Sequence, residues 1–502
     1  SYIQPFPAGT SAAVLVIEHT HSNVLAYSGS ADFEDDARFG HVDMITATRS
    51  PGSTLKPFLY GLAMDQGLIH EQSLLLDVPS EFNGYQPDNF DQGFSGPVSV
   101  RSALQQSLNV PAVQVLDALG ANRFYAHLRS AGMALSAGNT LAEHSAANLS
   151  LILGGAGTSL QSLVHIYAAL GRGGLTKPLN FIYKPEGSSE VAPLTEAELS
   201  ETHRRLLSNE AAWIISDILA AAPLNTFDSH QPIATTHKKI AFKTGTSFGY
   251  RDAWVLAASQ QLTIGVWVGR PDGTPLADNV GRHTAVPLLR RLLAQLPDSK
   301  LQRPDKPAAV TRHNICWPLG TLKVLQDEAW CMREKGAWLI DEQAPANTLP
   351  DPLDSFWAGS LITVQLDQDN LQTNAQCPSP ATHSQTIAVW PSSLDLWLPQ
   401  KWRRQQLLPP WNPACKTATA LSTLKIEGIE SGATLRPQFG GGQLPSIRLT
   451  TAQGGEVHWF LDGRWVKSGT ELVVDGLVVG RHVVSVMGLG GQMDEVSFLV
   501  QR

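Results

Sequence analysis

Where the two hydrophobic periods fall constrains this chain more than any other feature of its sequence. "AAVLVIEHTHSNVLAYSGS" reads as two strands, Ala12 to Ile17 and Val24 to Ser28, around a polar turn. Past Lys56 the period changes. "KPFLYGLAMDQGLI", "VSVRSALQQSLNVPAVQVLDALG", "RFYAHLRSAGM", "LQSLVHIYAALGRGG" and "NEAAWIISDILAAAP" carry apolar residues at helical spacing, with Gly or Pro as stops. Strand patterns return as "KKIAFKTGTS", "DAWVLAAS" and "QLTIGVWVG", followed by the helical run "HTAVPLLRRLLAQL". Two strands, a long helical insert, three strands and a closing helix make an α+β domain. Its insert lies on one side of an antiparallel sheet.

At 502 residues the chain exceeds one ordinary core, so two or three domains are expected. A net charge of -8 argues against a nucleic-acid binder, which usually shows a basic face. The longest apolar runs, such as "AAVLVI" and "LTIGVWVG", fall well short of the ~20 residues that cross a bilayer. The chain opens without Met and without a basic-then-apolar signal, which reads as a mature form or fragment.

"PDSKLQRPDKPAAVTRHN" reads as a Pro- and Lys-rich linker closing a first domain at 1–298. A second region, 299–416, holds eight of the thirteen tryptophans from Ile315 onward, and all four cysteines. Trp and disulfides can supply the core that so short a stretch lacks, and a sugar- or peptide-binding groove is the alternative. No cysteine pair has Cys-x-x-Cys spacing, so no metal is called for. Order along the chain favours Cys316–Cys331 and Cys377–Cys415, in an oxidising compartment; four buried thiols are the alternative. Residues 417–502 alternate in seven or so short strands with glycine turns, the pattern of an immunoglobulin-like sandwich.

Three short motifs carry chemistry. In "PGSTLKP", Ser53 and Lys56 stand at i and i+3, on one helix face, and Pro57 fixes the helix start close to Ser53. A serine hydroxyl is a weak nucleophile that needs a base and donors for the developing oxyanion. Ser107 and Asn109 follow in "SLN", within the insert, and Lys243, Thr244, Gly245 and Thr246 in "KTGT", on a strand. There Lys243 brings charge, the threonines bring hydroxyls for a carboxylate, and Gly245 lets a substrate backbone approach the edge. Each motif alone is weak. The C-terminal region holds a copy of the outer two, Ser422 to Lys425 and Lys467 to Thr470. That copy runs into strand sequence, has no S-x-N between its parts, and leaves only 44 residues for a helical domain.

The ordered set "PGSTLKP", "SLN" and "KTGT" resembles the transpeptidase domain of class A penicillin-binding proteins. "NVLAYSG", "YQPDNFD", "RDAWVLA" and "VWVG" extend the likeness over most of Ser11 to Gln295. "ADFEDDARFGHVDMITATRSPGSTLKPFLYG", with the C-terminal β region, is similar to the 1C type within that family. The resemblance implies a serine β-lactamase/transpeptidase-like fold. It implies that Ser53 attacks a D-Ala-D-Ala stem peptide and that Lys56, its pKa depressed by burial and by Lys243, is the base. Ser107 would relay a proton and Asn109 orient Lys56. The Ser53 and Thr246 amides would form the oxyanion hole. Lys243, Thr244 and Thr246 would hold the carboxylate. Peptidoglycan stem peptides and β-lactams are the implied ligands, with no cofactor. The implied location is the periplasm, with a membrane anchor and glycosyltransferase domain upstream that this chain does not contain. An α2-macroglobulin-like periplasmic partner is a family expectation only. "EDDARFGH" mimics a glycosyltransferase motif out of register and is assigned to the loop before Ser53.

Two other functions stay open in the sequence. No E-x-x-L-N occurs, so hydrolysis of the β-lactamase kind is not expected. A D,D-carboxypeptidase, in which water replaces the acceptor amine, carries the same motifs. So does an idle penicillin-binding scaffold for wall-assembly partners.

Overall fold

The first two strands, β1 (Ser11–Glu18) and β2 (Val24–Ser28), join three late ones, β3 (Ala241–Thr246), β4 (Asp252–Ala258) and β5 (Leu262–Gly269). They make one antiparallel sheet in the order β2-β1-β5-β4-β3. The computed structural model describes residues 2–82, 84–90, 93–137, 148–181, 203–222, 240–347, 361–374, 377, 379, 381–415, 424–436, 446–452, 455–488 and 493–501.

The insert supplies α1 (Lys56–Asp65), α2 (Val100–Gln106), α3 (Val110–Leu119), α4 (Ala121–Ser130), α5 (Leu160–Gly171) and α6 (Asn209–Ala220). Two helices follow β5: the single turn α7 (Gly281–Thr284) and α8 (Val286–Ala294). Strand alternation gives each sheet face its own partner. Ala253, Val255, Ala257, Ile264, Val266 and Val268 share a core with Val286, Leu289 and Leu293 of α8. The opposite face meets α5, and one glycine lets it come close. A Cβ on Gly265 would lie 2.4 Å from a Val164 methyl and 2.7 Å from one of Leu160. Gly265 stands opposite Leu256, which stands opposite Lys243, so pairing turns Lys243 toward the helical side.

Serines 99, 159 and 208 cap α2, α5 and α6, each accepting from an amide of the first turn. Such a cap contributes about 1 kcal/mol. The run "VSVRSALQQSLNVPAVQVLDALG" is not one helix. It breaks at Ser107, whose φ is +60°, and restarts at Val110 with Pro111 in the first turn. Proline lacks the amide that would continue the earlier helix but suits a new start.

The chain divides into two units, each discontinuous in sequence. The first is Ser1–Ser73, Ser99–His313 and Gly336–Pro345; the second is Leu74–Val98, Asn314–Lys335 and Ala346–Arg502. A division at 298 and 416 is linear and has no place for this interleaving. Nor does "PDSKLQRPDKPAAVTRHN" behave as a free linker. Leu301 is buried in the sheet core, and Trp213 of α6 donates to the Pro304 carbonyl at 3.1 Å. Trp213 also meets Trp338 edge-on, with ring centroids 5.3 Å apart.

The second unit holds the two disulfides, Cys316–Cys331 and Cys377–Cys415. Trp317 and Trp390 are each 1% exposed and pack edge to face. These two rings therefore fill core, as a stretch short of aliphatic residues requires, and form no groove. Eight short strands among the described residues beyond 424 form sheets of three and five. Leu449 and Leu472 of one sheet and Trp459, Val484, Val486 and Phe498 of the other share a single core, so the two pack as a sandwich. Ser422 lies outside the described residues. Lys425 runs into the strand Ile426–Glu427, and Lys467 sits in the strand Arg464–Gly469. No helix among the described residues is long and apolar enough to cross a membrane.

Candidate active site

Ser53 sits in the short helical turn Gly52–Leu55 that leads into α1, with Pro57 at the start of that helix. The turn begins with a left-handed residue, Gly52, at φ +54°. A side chain there would collide with β3: its Cβ would lie 2.4 Å from the Thr246 carbonyl oxygen. Gly245 has the reciprocal role. Its missing Cβ leaves room for the Pro51 carbonyl at 2.6 Å and a Thr54 methyl at 2.6 Å. This glycine therefore seats the serine turn against the strand, whereas the sequence suggested room for a substrate backbone.

Three further bonds fix the turn. Trp254 Nε1 donates to the Ser50 carbonyl at 2.9 Å, and Ser50 Oγ to the Gly154 carbonyl at 2.9 Å. Tyr167 of α5 donates its hydroxyl to the Thr54 carbonyl at 2.6 Å. Tyr167 is fully buried, and burial pushes its phenol well above the usual range, so it stays a donor.

Lys56 is fully buried. Its Nζ donates to the Ser107 carbonyl at 2.7 Å, the Leu108 carbonyl at 2.9 Å and Asn109 Oδ1 at 2.7 Å. The break between α2 and α3 makes this possible. A continuous helix would spend those carbonyls on its own ladder, whereas the left-handed Ser107 leaves them aimed at the lysine. The α2 side of the break is anchored by Arg101, which bonds Glu71 and Asp217 at 2.5 Å each. Asp217 belongs to α6 and also meets Arg303 at 2.6 Å.

Lys243 completes the cluster from the sheet. Its Nζ donates to Ser107 Oγ at 2.7 Å and to the Thr244 carbonyl at 2.7 Å. It is 4% exposed. Desolvation, and then the positive charge of Arg282, lower its pKa to about 7. Thr244 and Thr246 alternate with Lys243 and point to the other side of the strand. Thr246 Oγ1 there accepts from the Gly281 amide at 3.1 Å. Because β3 is the last strand of its sheet, its outer edge has no partner strand among the described residues. Just beyond Thr246, buried Asp252 ties the β3–β4 turn: it accepts from Ser247 Oγ and from Trp267 Nε1, both at 2.9 Å.

The three motifs thus meet at one place: Lys56 and Lys243 both bond Ser107, and Asn109 bonds Lys56. Sequence reading missed Tyr167, the indole bond of Trp254, and Arg282. None carries a local signal, since each depends on how α5, β4 and α7 pack against the serine turn and β3.

Residues 12–269 match the penicillin binding protein transpeptidase domain. Residues 355–406 match the second linker domain of penicillin-binding protein 1C, and 413–498 a penicillin-binding protein C-terminus family. The chain is 39% identical to penicillin-binding protein 1C of Escherichia coli (strain K12) over 500 residues, covering 99% of this chain and 62% of that protein. It is 27% identical to penicillin-binding protein 1A of Clostridium tetani over 62% of this chain and 41% of that one. It therefore spans less than two thirds of either relative. A crystal structure of penicillin-binding protein 1A from Haemophilus influenzae aligns with 67% of the chain and 54% of its own, at TM-score 0.50 and 20% identity. The penicillin-binding protein PonA1 from Mycobacterium tuberculosis aligns at TM-score 0.50 and 18% identity, over 70% of this chain and 86% of its own. With the transpeptidase module, the 1C-type linker and the C-terminal module in sequence, the chain belongs to the penicillin-binding protein transpeptidase family.

Proposed function

We propose that this chain is a peptidoglycan D,D-transpeptidase that works through an acyl-enzyme on Ser53. The observation that carries the reading is the pair of buried lysines joined through Ser107 beside the Ser53 turn. The Ser107 and Leu108 carbonyls and Asn109 Oδ1 accept from Lys56 Nζ and fix the amine beside the serine turn. To take the Ser53 proton, the Lys56 ammonium first loses one proton to solvent, and the neutral amine turns its lone pair to the hydroxyl. The bond to Asn109 is the one to release, since Asn109 Oδ1 is a side-chain atom and the other two acceptors are main chain.

Ser53 Oγ then bonds the carbonyl carbon of the penultimate D-Ala. The terminal D-Ala leaves as an amine, taking a proton through Ser107, whose oxygen Lys243 already holds. The amides of Ser53 and Thr246 receive the developing oxyanion. The close packing of Gly52 on Thr246 supports that pairing. Lys243, from one side of the edge strand, and Thr244 and Thr246, from the other, take the carboxylate at an edge that an extended peptide can lengthen. An amine from a neighbouring stem peptide attacks the ester, restores Ser53 and leaves a cross-link. Penicillin acylates the same serine by opening its strained amide. The likeness to a 1C protein supports a periplasm-facing site on a membrane-anchored full-length protein.

The test is labelling by fluorescent penicillin, in which wild type is acylated and Ser53→Ala is not. Equal labelling of the two refutes the reading. Turnover of a pentapeptide with and without an acceptor amine follows. Amine-dependent product is the expected result, whereas hydrolysis alone makes the protein a carboxypeptidase, and no turnover with intact labelling makes it a scaffold.

A further inference from the structure

Arg282 belongs to none of the three motifs, yet the fold delivers it to their edge. Gly281 before it is wedged against the carboxylate-binding strand. A Cβ there would lie 2.6 Å from the Trp254 carbonyl oxygen, 2.7 Å from that of Gly245 and 3.2 Å from Thr244 Cβ. The Gly281 amide also donates to Thr246 Oγ1 at 3.1 Å. Only glycine fits so tightly, so the start of α7 is locked onto Thr244-Gly245-Thr246. The next Cα, that of Arg282, stands about 3.8 Å farther along the chain. Its side chain is exposed, unlike the buried Lys243.

From this placement we infer that Arg282 is a specificity residue, the second cation of the seat that takes the C-terminal carboxylate of a stem peptide or the carboxylate of penicillin. The assignment rests on the acyl-enzyme reading above. The chemistry favours a pair. Lys243 commits protons to Ser107 Oγ and to the Thr244 carbonyl, which leaves one of the three ammonium protons for an incoming anion. An arginine fork supplies two parallel N–H donors matched to a carboxylate. The two cations already act on each other, because the Arg282 charge is the second cause of the lowered Lys243 pKa. A carboxylate between them offsets that repulsion and gains from both charges.

The experiment compares acylation of wild type, Arg282→Gln and Arg282→Lys by benzylpenicillin and by its methyl ester. With the free acid, Arg282→Gln is expected to lose about tenfold in the second-order rate constant, the size of one partly exposed charge-assisted contact. Arg282→Lys recovers part of that loss. With the ester, the three proteins react within about twofold of one another. An unchanged rate of Arg282→Gln with the acid overturns the inference, and so does an equal fall with acid and ester, which marks a merely structural residue. If wild type itself is not acylated at Ser53, the acyl-enzyme reading falls and takes this one with it.

Discussion

Replacing Gly52 by alanine tests whether the serine turn is seated as described. Two penalties arise at this position. Holding a residue with a Cβ at φ +54° costs about 1–2 kcal/mol. The Cβ would also lie 2.4 Å from the Thr246 carbonyl oxygen, 2.8 Å from its carbon and 2.9 Å from its nitrogen. All three atoms are main chain, so no rotamer change relieves the contact. Restoring an ordinary separation of about 3.4 Å parts the turn from β3 by about 1 Å. A displacement of that size between nucleophile and oxyanion donors costs on the order of 100-fold in rate.

Gly67→Ala is the matched control. Gly67 has φ +65° and nothing within 4 Å of a built Cβ, so it carries the conformational penalty without the collision. The assay is the second-order rate constant for acylation by fluorescent penicillin, with thermal stability measured alongside. Gly67→Ala is expected to lose stability and acylate at the wild-type rate. Gly52→Ala is expected to lose both. If Gly52→Ala acylates within about threefold of wild type, the seating argument is wrong.

Lys243 gives a pH signature. Its pKa is about 7 in the folded chain and near 10.5 when exposed, so between those values the unfolded chain binds more protons. Its destabilising effect is therefore complete below pH 7 and fades as the pH rises toward 10.5, by up to about 1.4 kcal/mol per unit. Lys243→Met removes that slope, so the wild-type melting temperature should gain on the variant from pH 7 to pH 9.5; parallel profiles would rule the shift out. Tyr167→Phe deletes one buried donor to the serine turn and should cost about 1–3 kcal/mol, with acylation reduced less than tenfold. Because the phenol stays protonated, its effect should be constant from about pH 6 to 9 in paired melting curves. A loss that varies over that range would mean another group is responsible.

Much of the site was legible because its chemistry is written in short segments. Ser53 and Lys56 are one turn apart, Ser107 and Asn109 two residues apart, and Lys243 to Thr246 consecutive. The sheet was legible too, since period-two runs mark both ends of the insert. The break at Ser107 was harder to see. Helical spacing continues through "QQSLNVPAV", and only Pro111 marks the restart. Arg282 was invisible because its relevance comes from Gly281 packing on β3, a contact 36 residues from Gly245 with no pattern to announce it. The interleaved units were unreadable for a similar reason. Residues 74–98 look like part of the first domain, and only their partners assign them elsewhere. Gly96, for one, packs on the Trp397 side chain.

The Ser107 and Leu108 acceptors of Lys56 are peptide oxygens. No substitution at position 107 or 108 can delete a peptide oxygen, so the lysine's surroundings are inherited from the path of the chain and not from side-chain chemistry. Sequence drift at those positions can tune the proton relay while leaving the base where it is. Only changes that redirect the main chain, such as an insertion between the two helices or loss of the left-handed turn, would evict it.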